Sequence, residues 1–318
     1  MKYSKIGNTG IEVSYIAMGG HEYLPNGQSR GFNEDFDLAI KPGHIFEGFG
    51  GENRKRVLKT AFEYGVNFFD VTMDSEKEAI GRNLKEIGPP YEVYIQTRPE
   101  GMVYTYDENN RKMADYNLLR AEAQRIIKLL QRDCIDFFNI AFMKSAWEND
   151  PEYFNKMKDN IQRLKKEGLI RFACADTFSG EETYLHQIHS DAYDMIYINF
   201  SFGDHQARKK VFPLCREKNM GVIVREAFMK GNLFDFAKEA NIENNTLVAH
   251  AAMKWLLSNN EVTTLVYGSG KPHHVEDALK LVDHLEMTEE EEQVIYFIKQ
   301  TEGYKAFEMQ KTKEFLKL

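Results

Sequence analysis

The stretch Gly65-Val-Asn-Phe-Phe-Asp70 decides how the fold of this chain is predicted. Its apolar run over residues 66–69 is typical of a short buried strand, and Asp70 stands where that strand is expected to end. In a barrel of parallel strands, side chains at these strand ends face the mouth where such barrels carry out their chemistry. The sequence therefore predicts that Asp70 is a functional carboxylate.

Strand-like runs alternate with amphipathic stretches along the rest of the chain. We predict helices over residues 54–64, 117–132 and 157–167; in the second, apolar residues recur at helical spacing. Regular alternation of strand and helix is the pattern of a parallel barrel. With 318 residues and 42% hydrophobic content, the chain can bury one large core. We therefore predict a single (β/α)8 TIM barrel domain over residues 1–318.

Two long segments interrupt this alternation. Residues 21–52 are rich in glycine and aromatic residues, and residues 100–116 carry Tyr104, Tyr106 and the polar run Asp107-Glu-Asn-Asn-Arg111. Both follow predicted strands, so both are expected over the catalytic face as lids or binding surfaces. A decorative insertion is the alternative for each.

Composition excludes several classes of protein. A net charge of −8 without a long basic run argues against nucleic acid as a partner. Cys134, Cys174 and Cys215 show neither pairing nor metal-ligand spacing, so we expect reduced thiols in a cytoplasmic protein. No apolar run of membrane-spanning length is present, so no membrane partner is expected. His186 and His189 lie at helical spacing without a third ligand, and we predict no metal site.

An ordered series of motifs over nearly the whole chain resembles the aldo-keto reductase family. It comprises an N-terminal hairpin (residues 1–13), a first barrel strand (16–20), a second (65–70), a fourth (134–140), a fifth (167–174), a seventh (221–224) leading to Lys230-Gly-Asn-Leu233, and a final helix (253–258) and strand (262–268). The resemblance implies a TIM barrel with an N-terminal β-hairpin. It also implies an oxidoreductase that uses NAD or NADP.

The catalytic residues that the resemblance implies are mostly missing. The family donates a proton from a tyrosine that is tuned by a lysine and a carboxylate, while a histidine orients the substrate oxygen. Asp70 matches the carboxylate, but residues 71–81 contain no tyrosine. Arg98 stands at the lysine position and Ala141 at the histidine position. General acid catalysis is typically worth ~10² to 10⁴ in rate, so the standard mechanism is expected to be lost.

The residues that the resemblance assigns to the nicotinamide are also changed. Asp176 and Thr177 replace a Ser-Asn pair, Tyr197 replaces a glutamine, and Arg225 replaces the aromatic residue that stacks on the ring. A guanidinium plane could stack in its place.

A glycine-rich loop before the last predicted helix keeps the features of a phosphate cradle. Backbone amides at such a helix start can bind an anion. We predict that the cofactor is bound there by Gly268, Ser269, Gly270, Lys271, His274 and Asp277.

Ionisable residues at predicted strand ends suggest a new polar site at the barrel mouth. These are His21, Asp70, Arg98, Asp176, Arg225 and Glu226. Arg98 and Arg225 suit a carboxylate or phosphate on a small-molecule substrate, because a guanidinium binds either group through two bonds. His21 or Asp176 is a candidate base and Glu226 a candidate acid. Arg–Asp pairs that only tie the strand ends together are the alternative.

Three functions remain compatible with the sequence. The first is an NAD(P)-linked oxidoreductase that acts on a polar, anionic hydroxy or carbonyl compound, with Asp70, Arg98, His21 and Glu226 as the catalytic group. The second is a redox-independent acid–base enzyme, such as a dehydratase or isomerase, on the same barrel. The third is a ligand-binding barrel without catalysis. The tail over residues 306–318 is expected to form a helix on the barrel or to lie in the interface of a homo-oligomer.

Overall fold

Eight parallel strands pair edge to edge and close into a barrel in the computed structural model, which describes residues 1–99 and 111–318. The barrel order is β10-β3-β4-β5-β6-β7-β8-β9. The strands are β3 (Ile16–Gly19), β4 (Phe68–Val71), β5 (Tyr94–Thr97), β6 (Ile135–Asn139), β7 (Ile170–Ala175), β8 (Met195–Asn199), β9 (Gly221–Arg225) and β10 (Thr264–Tyr267). The predicted TIM barrel is confirmed.

The N-terminal hairpin closes the opposite end of the barrel. Strands β1 (Tyr3–Lys5) and β2 (Glu12–Ser14) pair antiparallel, and Ile6, Ile11 and Val13 pack under the inner barrel residues. The side chain of Asn67 accepts the Ser14 N–H at 2.8 Å and ties the hairpin to the chain just before β4. This hairpin is also confirmed.

Helices surround the barrel and follow the predicted alternation. They are α1 (Phe36–Ala39), α2 (Glu52–Glu63), α3 (Asp74–Ile87), α4 (Arg111–Ala114), α5 (Tyr116–Leu130), α6 (Lys144–Glu148), α7 (Tyr153–Lys166), α8 (Glu181–His189), α9 (Val211–Glu217), α10 (Asn232–Glu239), α11 (Asn245–Leu257), α12 (Pro272–Lys280), α13 (Glu289–Gln300) and α14 (Glu302–Leu316). The three predicted helices correspond to α2, α5 and α7, with starts one to four residues earlier than predicted.

The strand predicted over residues 66–69 lies two residues further along the chain. Val66 still belongs to the turn that ends α2, because its N–H donates to the Ala61 carbonyl at 2.9 Å and Gly65 has a φ of +83°. Asp70 is therefore inside β4, where its register partner is Gln96 of β5. This pairing places the two side chains next to each other at the barrel mouth.

The C-terminal tail forms α14, as predicted for residues 306–318, and packs on the barrel. Tyr304 is buried and its hydroxyl donates to the Phe202 carbonyl at 2.7 Å. Phe307 packs against Phe236 with ring centroids 5.7 Å apart. The helix thereby lies against the loop that follows β8.

The segment 21–52 lies against α2 and α3 beside the barrel mouth. Its Phe49 packs in a small apolar cluster with Met73 and Ala79, and the Gly43 N–H donates to Asp74 at 2.6 Å. The other predicted lid, residues 100–116, lies outside the described residues up to residue 110. None of the helices in residues 1–99 and 111–318 has the length and apolar character needed to cross a bilayer.

Candidate active site

Asp70 lies at the centre of a buried polar cluster in the barrel mouth. Its Oδ1 accepts from Gln96 Nε2 at 2.9 Å, and its Oδ2 accepts from the Tyr197 hydroxyl at 2.7 Å. Arg98 lies above the same carboxylate, with Nη2 at 3.8 Å from Oδ1. The pKa of the Tyr197 hydroxyl is raised by burial and by the charge of Asp70, so this tyrosine stays protonated and donates.

Asp176, directly after β7, forms the second half of the cluster. Arg225 grips it through two bonds, Nη1 to Oδ2 at 2.8 Å and Nη2 to Oδ1 at 3.1 Å. Asn139 Nδ2 donates to it at 3.2 Å, and the Tyr184 hydroxyl shares its proton between Asp176 Oδ1 at 3.2 Å and the Tyr197 carbonyl at 2.9 Å. Arg98 Nη1 lies 3.8 Å from its Oδ2, so Arg98 stands between Asp70 and Asp176.

This geometry changes the interpretation of the two arginines. Two carboxylates and two guanidinium groups balance one another within the cluster, and Arg225 Nε also donates to Asn199 at 2.6 Å. Arg225 Cζ lies over the Tyr197 ring, 4.2 Å from its centroid. The arrangement is that of the Arg–Asp ties considered above, and a substrate anion would have to displace Asp176 to gain the same bonds from Arg225.

His21 and Glu76 form a separate pair at the edge of the mouth. His21 follows β3, and its Nδ1 lies 2.6 Å from Glu76 Oε1. Glu76 is buried on the first turn of α3, and its Oε2 accepts the Thr72 N–H at 2.7 Å. The His21 side chain is 39% exposed, so it can reach both the carboxylate and a molecule in the mouth.

Electrostatics fix the protonation of this pair. Burial alone lowers the pKa of His21, but the charge and hydrogen bond of Glu76 outweigh it, so the His21 pKa is raised. Burial raises the pKa of Glu76, yet His21, the Thr72 N–H and Arg54 together hold it below its usual range. An ionised carboxylate only accepts, so His21 Nδ1 carries the shared proton. Among the described residues no hydrogen-bond partner reaches His21 Nε2.

The structure does not bring Glu226 into this arrangement. Its φ of +65° turns the chain at the end of β9, and its carboxylate faces Lys230 at 3.5 Å. In the described part of the chain, no hydrogen bond or ion pair joins it to Asp70, Arg98 or His21. Glu226 instead adds negative charge near Asp204, whose pKa burial raises to about 7.

A cleft of about 320 Å³ lies between α11 and α12, beside the glycine-rich loop. Gly268 and Ser269 line one side, and the apolar wall is formed by Phe228, Phe234, Met253 and Tyr267. His274 and Asp277 also border it, and burial lowers the pKa of His274.

The predicted loop residues divide between two sides of the loop. Gly270 lies on the α2 side, where its carbonyl accepts from Asn53 Nδ2 at 2.6 Å. Lys271 is the residue before α12, whose first residue is Pro272. Thr177, predicted to contact the cofactor, instead donates its hydroxyl to the Phe142 carbonyl at 2.8 Å and lines a pocket under α14.

Several site residues were missed by sequence reasoning. Gln96, Asn139 and Tyr184 lie within the cluster as partners of the two carboxylates. Gln96 precedes Arg98 by two positions, and period-two alternation in β5 signals that both face the barrel interior. Glu76 had a signal too, because it is an acidic residue only six positions after Asp70. Tyr184 lies on α8, the helix after β7, and no pattern in the neighbouring sequence marks it as a site residue.

No group of three histidine, cysteine or acidic side chains suited to a metal occurs within residues 1–99 and 111–318. His186 packs against Trp147, with ring centroids 4.6 Å apart, and His189 Nδ1 lies 2.8 Å from the Leu185 carbonyl. His186 thus packs against α6, and His189 bonds within its own helix, α8.

The closed barrel and its polar mouth define an α/β barrel protein of the kind that carries its site at the carboxyl ends of the strands. A sequence profile of the Aldo/keto reductase family matches residues 44–246, more than half of the chain. The chain therefore belongs to the aldo/keto reductase family, whose members are oxidoreductases that typically use NAD(P)H.

Named relatives are distant in sequence. L-galactose dehydrogenase from Arabidopsis thaliana is 23% identical over 316 residues, with 88% of each chain covered. An aldo-keto reductase from Bacillus halodurans, solved in its holo form, superposes with a TM-score of 0.68 at 18% identity and covers 94% of this chain and 96% of its own. Glycerol dehydrogenase from Gluconobacter oxydans superposes with a TM-score of 0.70 at 17% identity and covers 95% and 96%. These structural likenesses establish the fold.

Proposed function

We propose that this chain is an NAD(P)-linked oxidoreductase in which His21, held by Glu76, takes over the proton transfer normally carried out by tyrosine. The supporting observation is the short His21–Glu76 contact of 2.6 Å at the mouth, with Nε2 directed away from the carboxylate. Histidine is the side chain whose ordinary pKa lies nearest to neutral pH, and the raised pKa of His21 favours its protonated, donating form.

His21 is a better proton donor than Tyr197, the tyrosine nearest to Asp70. The pKa of Tyr197 is raised, its hydroxyl already donates to Asp70, and only 3% of the residue is exposed. A general acid works best with a pKa near the working pH and within reach of the substrate. His21 meets both conditions.

The proton balance follows from this assignment. In the reducing direction, protonated His21 gives its Nε2 proton to the carbonyl oxygen as that oxygen becomes a hydroxyl. The imidazole is then neutral, and Nδ1–H stays bonded to Glu76. In the oxidising direction, Nε2 takes the hydroxyl proton. A carboxylate behind the ring fixes its orientation and stabilises its charged form, as in other histidine–carboxylate pairs.

The residues at the glycine-rich loop fit one end of a dinucleotide. The 320 Å³ cleft has an apolar wall suited to a flat base, and Asp277 at its edge can accept from ribose hydroxyls. A nicotinamide dinucleotide held there would supply or accept the hydride. Asp277 gives no counter-charge for a 2′-phosphate, so we propose no strong preference for NADP over NAD.

We propose a hydroxylated small molecule as the substrate. Gln96 Oε1 and Asn139 Oδ1 are fully buried at the mouth and have no hydrogen-bond partner among the described residues. Unsatisfied buried acceptors are costly, and hydroxyl groups of a ligand would satisfy them once the side chains that cover them move aside. L-galactose dehydrogenase and glycerol dehydrogenase, named among the relatives, suggest polyols or sugars as the first compounds to try.

One observation favours the redox-independent alternative. The Arg225–Asp176 pair fills positions that the family resemblance assigns to nicotinamide contacts, and all the bonds of this pair are internal to the chain. In that case the same His21–Glu76 pair would act as base and acid in a dehydration or isomerisation. Cofactor binding separates the two functions.

The test begins with calorimetric titration of NADH and NADPH into the protein as purified. Glycerol, L-galactose and related polyols are then assayed with NAD and NADP by absorbance of the reduced cofactor. We expect dinucleotide binding, and turnover that falls at least a hundredfold in His21→Gln. Glu308→Gln, which alters a surface His–Glu pair, is the matched control. Absence of binding with all dinucleotides would shift the proposal to acid–base chemistry, and full activity of His21→Gln would refute the assigned donor.

A further inference from the structure

Arg54 occupies a position in α2 that normally belongs to an apolar residue. The buried side of this helix consists of residues 54, 57, 58, 61 and 62, and all but the first are apolar. Arg54 is 7% exposed, so its charge lies inside the protein. A buried guanidinium is costly unless an anion accompanies it.

Within residues 1–99 and 111–318, no carboxylate comes within ion-pair distance of Arg54. Its one hydrogen bond runs from Nη2 to the Gly19 carbonyl at 2.8 Å. A guanidinium has five N–H donors, so most of its donor capacity is left for another partner. Burial lowers the pKa of Arg54, although Glu22 and Glu76 raise it from a distance.

Arg54 borders a small enclosed pocket of about 40 Å³. The pocket lies between α2, the start of segment 21–52 and the glycine-rich loop, and it is also lined by His21, Tyr23, Asn53, Ser269 and Gly270. The Ser269 hydroxyl accepts the Lys271 N–H at 3.2 Å, and its own proton is shared with the Tyr267 hydroxyl. Polar side chains from three separate elements therefore line one space.

Glu22 is the acidic residue on this lining, and its oxygens are already used. Oε1 accepts the Gly50 N–H at 2.5 Å and Oε2 accepts Arg30 Nη1 at 3.3 Å. Glu76 is likewise bonded to His21 and Thr72. Both carboxylates are thus held by other donors, and neither fills the pocket beside Arg54.

We propose that this pocket binds a phosphoryl group, with Arg54 as its counter-charge, Tyr23 as a hydroxyl donor and the Ser269 hydroxyl turning from Tyr267 to donate to it. The space holds about three waters at 10–15 Å³ each, which suits a single phosphoryl group better than a whole nucleotide. The guanidinium fork matches the geometry of phosphate oxygens. The start of α12 directly after Ser269–Lys271 adds a favourable dipole.

Two sources share this chemistry. The group belongs either to the diphosphate of a dinucleotide that extends from the cleft beside α12, or to a phosphorylated substrate whose reacting carbon lies at His21. The first source rests on the proposed function, whereas phosphate binding itself does not. The sequence predicts a carboxylate or phosphate on the substrate, bound by Arg98 and Arg225. If the second source applies, Arg54 binds that group instead.

Inorganic phosphate and pyrophosphate are the probes, titrated into the full chain in a chloride buffer with calorimetry and ³¹P NMR line widths as readouts. We expect saturable binding at millimolar concentration or below, weakened about tenfold to a hundredfold in Arg54→Gln. Arg216→Gln removes an exposed arginine on α9 and is expected to leave binding unchanged. Ser269→Ala, which keeps the charge and the helix, is expected to weaken binding by a smaller factor.

Titrations of NADH and of glycerol 3-phosphate with the same variants identify the source. A loss of affinity for NADH in Arg54→Gln assigns the pocket to the cofactor, and a loss for glycerol 3-phosphate alone assigns it to the substrate. No saturable binding of either inorganic probe to the wild-type protein overturns the proposal, even if NADH binds. Equal phosphate affinity in the wild type and in Ser269→Ala and Arg54→Gln also overturns it.

Discussion

Arg225 holds Asp176 through both terminal nitrogens, at 2.8 Å from Nη1 to Oδ2 and 3.1 Å from Nη2 to Oδ1. The pair joins the end of β9 to the residue after β7, across the intervening strand β8. Asp176 is fully buried, and the remaining donors around it come from β6 and α8. The polar cluster thus joins β6, the end of β7, α8 and β9, and it also forms the floor of the mouth.

Breaking this pair on one side is expected to be costly. Arg225→Met leaves a buried carboxylate without its main counter-charge, which typically costs about 3–5 kcal/mol of stability. The double variant Arg225→Met with Asp176→Leu removes both charges and is expected to recover a large part of that loss. Urea unfolding of the two variants measures the difference. A double variant as unstable as the single one would contradict the charge argument.

The His21–Glu76 pair makes a prediction for pH. Because the folded-state pKa of His21 is raised above 6.5, its protonation stabilises the fold below the unfolded pKa, and that stability is lost as pH rises through the folded pKa. Glu76→Gln removes the counter-charge and leaves burial as the main influence, so the pKa of His21 is expected to fall below 6.5 and this pH dependence to be lost or reversed. NMR titration of the histidine ring and unfolding at a series of pH values check both effects.

The control for that experiment is Glu308→Gln. Glu308 lies on α14 and pairs with His205 at 2.9 Å, and neither residue bonds to His21 or Glu76 among the described residues. The Glu308→Gln variant is expected to leave the His21 titration unchanged. A His21 pKa that does not respond to Glu76→Gln would show that the ring is not held by this carboxylate in solution.

Ordinary aldehydes and ketones are expected to be reduced at very low rates with NADH or NADPH. The chain has no tyrosine in the turn after Asp70, and buried Ala141 stands where the resemblance expects an orienting histidine. General acid catalysis lost at these positions is typically worth ~10² to 10⁴ in rate, and we propose that His21 restores it only for a hydroxylated compound held at the mouth. Steady-state assays with simple carbonyls measure this. Rapid turnover that survives in His21→Gln would show that another donor carries out the family reaction.

The barrel was predictable from the sequence because its signals are local. Apolar runs, helical spacing and the glycine-rich loop each act within about ten residues, and the structure confirms the barrel, the hairpin and the C-terminal helix. The site was predictable only in part. Strand ends placed Asp70, Arg98, Asp176 and Arg225 in one mouth, and all four are there.

Partners within the site were harder to predict, because they depend on contacts between distant parts of the chain. Arg225 binds Asp176 and not a ligand because its side chain is long enough to cross β8. Glu226 points away from the cluster because its φ is +65°. His21 contacts Glu76, which lies 55 residues further along the sequence. The burial of Arg54 could have been predicted, because this basic residue stands at the start of the apolar side of a predicted helix.

The last prediction concerns the packing of the helix that carries Glu76. Gly81 lies where α3 crosses α5, and a Cβ built there would come within 2.6 Å of the Leu129 and Leu130 carbonyl oxygens. Helix propensity alone would favour alanine by about 1 kcal/mol. Backbone atoms cannot yield as a flexible side chain would, so Gly81→Ala is instead expected to destabilise the fold by about 1–3 kcal/mol.

Lys85→Ala on the exposed face of the same helix is the control, with an expected change within about 0.5 kcal/mol. Chemical denaturation of both variants gives the two values. The helices α3 and α5 pack directly on each other, so a forced separation would also move Glu76 at the start of α3. Gly81→Ala is therefore expected to shift the His21 titration as well, whereas Lys85→Ala is not. A stabilised Gly81→Ala variant would show that the two helices are further apart than this contact requires.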